Sequence, residues 1–343
     1  MTDPLPAREY PRLPGMVPTW TVGDTIIRGY FPQDDPFLME LERLSPRGEP
    51  RPFVHFRRRF IDRALLFEEP YIFIAEKDGI PVAVTSIAIK NTVIGGEAVR
   101  ICYSFDTRVH PQYRRQGIAN ILQEAKLHFL QSLGVHGIYA LVVASNLASI
   151  NMLQKVGFHK ARMILHLTFP PYPIIIPPPE EPLLYEAPVS QDAIQWAFGQ
   201  RDFFLPDVAE AVADFHFQRL CLSSGMGISV FDQSLVYQQI SADEPWPSEA
   251  EILQRGRVWR IFDEVGIQYP DELKAVFDTI RDLAVTSNVL KLTWIIDRAD
   301  PVPGFVFEEA SAQKDYWLLF QSLQVGFEPQ WTNAPVYIDA RDL

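Results

Sequence analysis

Cysteine is scarce: Cys102 and Cys221 are the two in 343 residues, too few and too far apart for a disulfide framework or a thiolate metal site. The seven histidines are scattered with none at metal-ligand spacing, so no metal is expected. No window approaches the roughly 18 uninterrupted apolar residues of a membrane span, and the N-terminal stretch MTDPLPAREYPRLPG has no apolar signal core. Positive charge is also short, since 31 Lys and Arg stand against 43 Asp and Glu for a net charge of −12. Without a basic stripe to neutralise phosphates, nucleic acid is not expected as the main partner. These absences together predict a cytoplasmic chain that works without membrane, nucleic acid or metal.

What is present is the composition of folded protein, 47% apolar with 23 Phe, 12 Tyr and 7 Trp. The length suggests about two domains. Eight of the twenty residues of FPPYPIIIPPPEEPLLYEAP, 169–188, are proline, which fixes φ and pushes each preceding residue out of the helical region. This predicts a semi-rigid linker between an N-terminal domain, 1–168, and a C-terminal domain, 189–343. Charge divides at the same place: 20 basic and 16 acidic residues before it, 11 and 27 after. An anionic ligand is therefore expected in the first half.

In that half, Thr25 to Phe31 is a β-rich run, and Phe37 to Leu44 and Phe53 to Phe67 have apolar residues at helical spacing, predicting a strand and two helices. Tyr71 to Glu76 and Pro81 to Lys90 flank Asp78-Gly79, a hairpin signal. Ala98 to Val109 follows the Gly95-Gly96 turn as another strand. Gly117 to Leu133 is an amphipathic helix stopped by Gly134, Ile138 to Ala144 an apolar strand, and Ser145-Asn146 a cap for a helix to Gly157 before a last strand, Ala161 to Phe169. The expected fold is α/β (α+β), helices on a mixed, mostly antiparallel sheet, with a ligand crevice at the parallel crossover.

Chemistry concentrates in RVHPQYRRQGIAN, Arg108 to Asn120. A strand that feeds a glycine-containing loop opening a helix is an anion site, because the first helical N–H groups lack internal partners and the dipole favours negative charge. Gly117 and Ala119 let a phosphate approach the backbone, and Arg114 and Arg115 add cationic donors.

Arg114-Arg115-Gln116-Gly117-Ile118-Ala119 resembles the [RQ]-x-x-G-x-[GA] acyl-CoA loop of the GNAT (GCN5-related N-acetyltransferase) superfamily, with Val109-His110-Pro111 matching its lead-in. Asn146, Ser149, Met152, Lys155, Gly157 and Phe158 resemble its second motif, N-x-x-A-x-x-L-Y-x-K-x-G-F. The resemblance covers about residues 20 to 169. It implies acetyl-CoA as cosubstrate, its pyrophosphate on the amides of Arg114 to Ala119, its pantetheine arm along the main chain near Val109 between splayed strands, and a contact from Asn146. It also implies direct attack of an uncharged amine on the thioester. The family's usual Tyr, which protonates the leaving thiolate, falls at Leu153, leaving that role vacant or filled by water or another residue.

For the general base, Asp106 is the one acid on the strand before the loop. It either takes a proton, directly or through water, or pairs with Arg108 or Arg100 on a solvated strand. His110 is a second candidate. Arg57, Arg58 and Arg59 lie on the second expected helix, either holding an acceptor carboxylate or forming a solvated basic face. Gly225-Met226-Gly227 suggests no nucleotide site.

The second half repeats the order. Gly256 to Ala284 is strand, loop and helix, Val289 to Ile296 is an apolar strand, and SLQVGF at 322–327 echoes LQKVGF at 153–158. Asp271 and Glu272 stand where the pyrophosphate would sit and would repel it, so this copy is expected to be degenerate, a tandem arrangement like that of mycothiol synthase-like enzymes. The expected activity is N-acetyl transfer to a primary amine of a small molecule or amino acid. Alternatives are a protein N-acetyltransferase and a non-catalytic acyl-CoA sensor or scaffold. The sequence leaves oligomeric state and acyl length open.

Overall fold

The computed structural model describes residues 14–48, 51–172, 184–185, 191–205, 208–222, 226–266 and 268–342. The first half runs β1 (Trp20–Val22), β2 (Thr25–Gly29), α1 (Asp35–Arg43), β3 (Phe53–Phe56), β4 (Glu69–Lys77), β5 (Ile80–Ile94), β6 (Glu97–Val109), α2 (Ile118–Ser132), β7 (Gly137–Val143), α3 (Leu147–Lys155) and β8 (His159–Phe169). The second half opens with β9 (Leu184–Tyr185), α4 (Gln191–Phe198), α5 (Val208–Ala211), β10 (Gln218–Cys221), β11 (Gly227–Asp232), β12 (Gln238–Ser241) and α6 (Glu249–Gln254). It continues with β13 (Arg257–Val265), α7 (Pro270–Thr286), β14 (Val289–Asp297), α8 (Phe305–Glu308) and β15 (Ala312–Ser322). No helix among the described residues is long and apolar enough to cross a membrane. Most of the proline-rich segment 169–188 lies outside the described residues.

Thirteen strands form one sheet in the order β1-β2-β4-β5-β6-β7-β15-β8-β14-β13-β11-β10-β9. Among the described residues only the pairs β6–β7 and β13–β14 are parallel, each joined by a helix crossover, α2 or α7. The turns behave as their residues dictate: Asp78 and Gly79 both have positive φ, 51° and 76°, which suits the twist of the β4–β5 hairpin.

The two halves interlock. The last strand, β15, enters the first half between β7 and β8, and β8 in turn pairs with β14 of the second half. Gly137 permits this insertion, because a Cβ there would meet the Phe320 ring of β15 at 2.4 Å. One face of the sheet carries α2 and α3 over a core that includes Ile118, Leu122, Ile138, Leu153 and Leu319. The opposite face is buried in a core drawn from both halves, with Leu38, Ile74 and Ile101 beside Phe198, Phe262 and Tyr337. The C-terminal segment is part of it: Lys90 donates to Tyr139 at 2.9 Å and to Asp339 at 2.7 Å, and also bonds Asp342.

Two expectations need correction. Phe53 to Phe67 is strand β3 followed by a 3-10 helix, Phe60–Leu66, instead of a second α-helix. Strand β3 finds a partner in β12, from the second half, and Asp62 accepts from the Arg59 N–H at 3.0 Å to close the short turn. The motif SLQVGF does not lie between a helix and a final strand. It begins at the end of β15, and no strand follows it among the described residues. The counterpart of α3 and β8 is α8 and β15.

Candidate functional site

Strand β6 delivers the chain to the N-terminus of α2 through a one-turn 3-10 helix, Pro111–Tyr113. Arg115 has φ 62° and Gly117, the residue capping α2, has φ 81°. The helical bonding starts only at Asn120, whose N–H reaches the Gly117 carbonyl at 2.9 Å, so the preceding amides face outward. Together these residues bound a concavity of about 340 Å³ lined by Val109, Tyr113, Arg114 and Arg115 on one side and Gly117, Ile118, Ala119 and Asn120 on the other. Arg114 is steadied by a bond from Nε to the Val109 carbonyl, 3.1 Å. Gln116 points elsewhere, its side chain donating to the Gln112 carbonyl at 3.0 Å. His110 is half-buried and accepts from the Gln112 N–H at 3.3 Å, closing the same turn.

Beside this concavity the sheet opens. Strands β6 and β7 pair from Ile101–Gly137 to Tyr103–Tyr139 and then part. Beyond that point β7 turns to β15, leaving the backbone edge of β6 from Ser104 onward without β7 as a partner. A bulge sits in the same stretch, because Val84 opposes Arg108 and Ser86 opposes Phe105, so that Asp106 and Thr107 share one partner position. Asp106 takes φ 50° there.

Asp106 is not on a solvated strand, and its partners are neither Arg108 nor Arg100. Its carboxylate is buried and accepts from Arg57 at 2.8 Å and Arg63 at 3.0 Å. Burial alone would raise its pKa, but the two guanidiniums hold it well below the ordinary carboxylate range. A carboxylate held this way is a poor proton acceptor, so the geometry gives Asp106 a part in fixing the bulge instead of the base's part. Arg57 is correspondingly inside the protein, shared between Asp106 and Glu42 (3.2 Å), while Arg58 and Arg59 are exposed. The three arginines form no common helical face, because they lie in the connection between β3 and the 3-10 helix.

Asn146 is exposed and caps α3, its side chain accepting from the Ser149 N–H at 3.2 Å; it does not line the concavity at α2. Leu153 is buried in the core under α3. The structure adds a polar residue that the sequence analysis passed over, Lys126. It lies on the buried face of α2 and donates at 2.7 Å to Ser104, the first residue past the parting of the strands. The available signal was a lysine interrupting the apolar face of an amphipathic helix.

The second half repeats this geometry. Strands β13 and β14 pair up to Ile261–Trp294 and then part, and Asp263 and Glu264 share one position opposite β11. Asp263 has φ 50°, as Asp106 does. The repeated dipeptides Phe105-Asp106 and Phe262-Asp263 were a legible sign of this equivalence. At the helix start the copies diverge, since α7 opens with Pro270, Asp271 and Glu272. Two carboxylates at that terminus oppose an anion.

Residues 36–158 match the Acetyltransferase (GNAT) family. Over this segment the chain is similar to GNAT acetyltransferases. No curated protein matches the chain, but solved structures of GNAT proteins share its fold across both halves. A GCN5-related N-acetyltransferase from Sphaerobacter thermophilus is 13% identical with a TM-score of 0.56, over 91% of this chain and 100% of that one. A tandem GNAT protein from the clavulanic acid biosynthesis pathway is 12% identical with a TM-score of 0.57, over 88% and 100%. The third, described as an acetyltransferase of Pyrococcus horikoshii, is 14% identical with a TM-score of 0.56, over 94% and 97%.

Proposed function

We propose that the chain is an acetyl-CoA-dependent N-acetyltransferase that acylates the primary amine of a small molecule or amino acid. The observation that carries this reading is the concavity at the N-terminus of α2, opening beside the parted strands β6 and β7. The outward amides of Gly117, Ile118 and Ala119 suit the pyrophosphate of coenzyme A, and Arg114 and Arg115 add positive charge at its mouth. Gly117 fits this use, because a Cβ there would meet nothing within 4 Å: the surface is open for a ligand to approach. When bound, acetyl-CoA supplies an activated acetyl thioester.

The protein's own contribution is orientation and polarity. The β6 edge past Tyr103 offers N–H and C=O groups to the pantetheine amides and a donor toward the thioester oxygen. Asp106 with Arg57 and Arg63 keeps the bulge, and with it that edge, in place. With Leu153 in the core and no hydroxyl to give, the departing thiolate takes its proton from elsewhere; a thiol with a pKa of about 8.5 leaves tolerably as its anion near neutral pH.

The test is acetyl-CoA binding by calorimetry, followed by turnover on a panel of amines. Gly117→Glu places a carboxylate at the phosphate position and is expected to abolish binding; because φ there is 81°, circular dichroism of the variant separates loss of binding from loss of fold. Affinity unchanged by Gly117→Glu would sink the site. A second reading, a non-catalytic acyl-CoA sensor, is favoured by Leu153, and binding without turnover on any amine selects it.

A further inference from the structure

On the sheet face opposite α2 and α3, four adjacent strands of the interlocked region present three cations and a histidine. These are Lys314 on β15, His166 on β8, Lys291 on β14 and Arg260 on β13, and Arg47, in the loop after α1, acts on Lys314. Lys314 and His166 are direct cross-strand partners. Two residues along β15 from Lys314, on the same face, Tyr316 pairs with Val143, the last residue of β7. The cluster therefore begins about 7 Å along β15 from the open end of the parted strands, on the side from which an acceptor can meet a thioester lying between them.

The two lysines have little negative charge beside them. Burial lowers the affinity of Lys291 for its proton, and Arg260 and Lys314 lower it further. Burial and then Arg47 do the same to Lys314. His166 is held well below its ordinary value by burial, then by Arg260, Lys291 and Lys314. No carboxylate acts on Lys291 or Lys314 among the described residues. The nearby acid, Glu42, is already committed to Arg47 at 2.9 Å, Arg57 at 3.2 Å and Arg108 at 3.3 Å. Arg260 is itself tied to Gln233, Nε at 3.1 Å, which fixes its guanidinium under the cluster. Like charges collected in a partly buried place destabilise the fold unless an anion joins them. Both lysines stay partly exposed, so an anion from solvent has access.

We propose that this cluster holds an anionic group of the acceptor, so that the substrate is an amine carrying its own carboxylate or phosphate. The inference rests on the reading of the chain as an amine acetyltransferase and names the class of amine. The acidity of the second half does not oppose it, because Lys314, Lys291 and Arg260 share this one face.

Product-like probes test the site without turnover. N-acetylglycine against N-acetylglycinamide isolates a carboxylate, and N-acetylethanolamine phosphate against N-acetylethanolamine isolates a phosphate. Each is titrated by calorimetry into the full chain, with and without the double substitution Lys291→Met with Lys314→Met. One anionic probe is expected to bind at least about tenfold more tightly than its neutral partner, the size of one charge-assisted hydrogen bond. The preferred pair identifies the anion, and the double variant is expected to lose the preference while its acetyl-CoA affinity stays unchanged. Should the double variant not fold, the single Lys314→Gln, at the more exposed lysine, is expected to weaken the preference severalfold. Equal binding within both pairs, or a preference that survives these substitutions, overturns the proposal. Failure of every amine to be acetylated would instead overturn the proposed function and leave these titrations standing.

Discussion

Lys126 allows a quantitative test of how the α2 face is built. Its side chain is 1% exposed and its one hydrogen-bond acceptor among the described residues is Ser104 at 2.7 Å. Burial pushes its pKa from 10.5 down to about 8, with Cys102 acting weakly the other way. At about 1.36 kcal/mol for each tenfold in proton affinity, that shift is a cost of about 3 kcal/mol to the folded state at neutral pH. The sign follows from proton counting. Between pH 8 and 10.5 the unfolded chain keeps a proton that the folded chain has released, so stability rises with pH across that window and the cost is fully present below it. Lys126→Met removes the cost and also the bond to Ser104, which is worth about 1 kcal/mol. At pH 7 the variant is expected to be about 2 kcal/mol more stable than the parent, and by pH 10 the advantage should largely disappear. Urea unfolding followed by circular dichroism at the two pH values measures this, and other titrations cancel because they are common to both proteins. A difference that is the same at both pH values, or a variant strongly destabilised at pH 7, would refute the reasoning.

Asp106→Asn leaves Arg57 and Arg63 buried without their shared counter-charge, and is expected to cost about 3–5 kcal/mol in thermal or denaturant unfolding. A variant of parental stability but lost turnover would restore Asp106 as the base. The interlocked sheet predicts that residues 14–170 expressed alone do not fold cooperatively, because β7 and β8 both lose β15. Co-expression of residues 184–343 should rescue the fragment, and a stable, two-state fragment on its own would contradict the shared sheet. Gly137→Ala brings a methyl against the Phe320 ring and is expected to lower the melting temperature by several degrees, about 1–3 kcal/mol of overpacking; an unchanged midpoint would show that β15 has room to shift.

The sequence by itself determined what short-range physics controls. Asp78-Gly79 made a hairpin because those two residues accept positive φ, Gly117 opened α2 for the same reason, and the apolar stripe from Ile118 to Phe129 laid that helix on the sheet. The loop that opens α2 was legible because its conformation is set by consecutive backbone groups. Tertiary structure decided everything that depends on a distant partner. Phe53 to Phe56 became a strand because β12, far along the chain, was there to pair with it. Asp106 became half of a buried ion cluster because Arg57 and Arg63, 49 and 43 residues away in sequence, fold back onto it. The insertion of β15 and the gathering of Lys314, His166, Lys291 and Arg260 on one face arise only when four strands from both halves lie side by side. Local preference acts over a turn or a strand, whereas strand neighbours and the fields of buried charges are fixed by which segments meet.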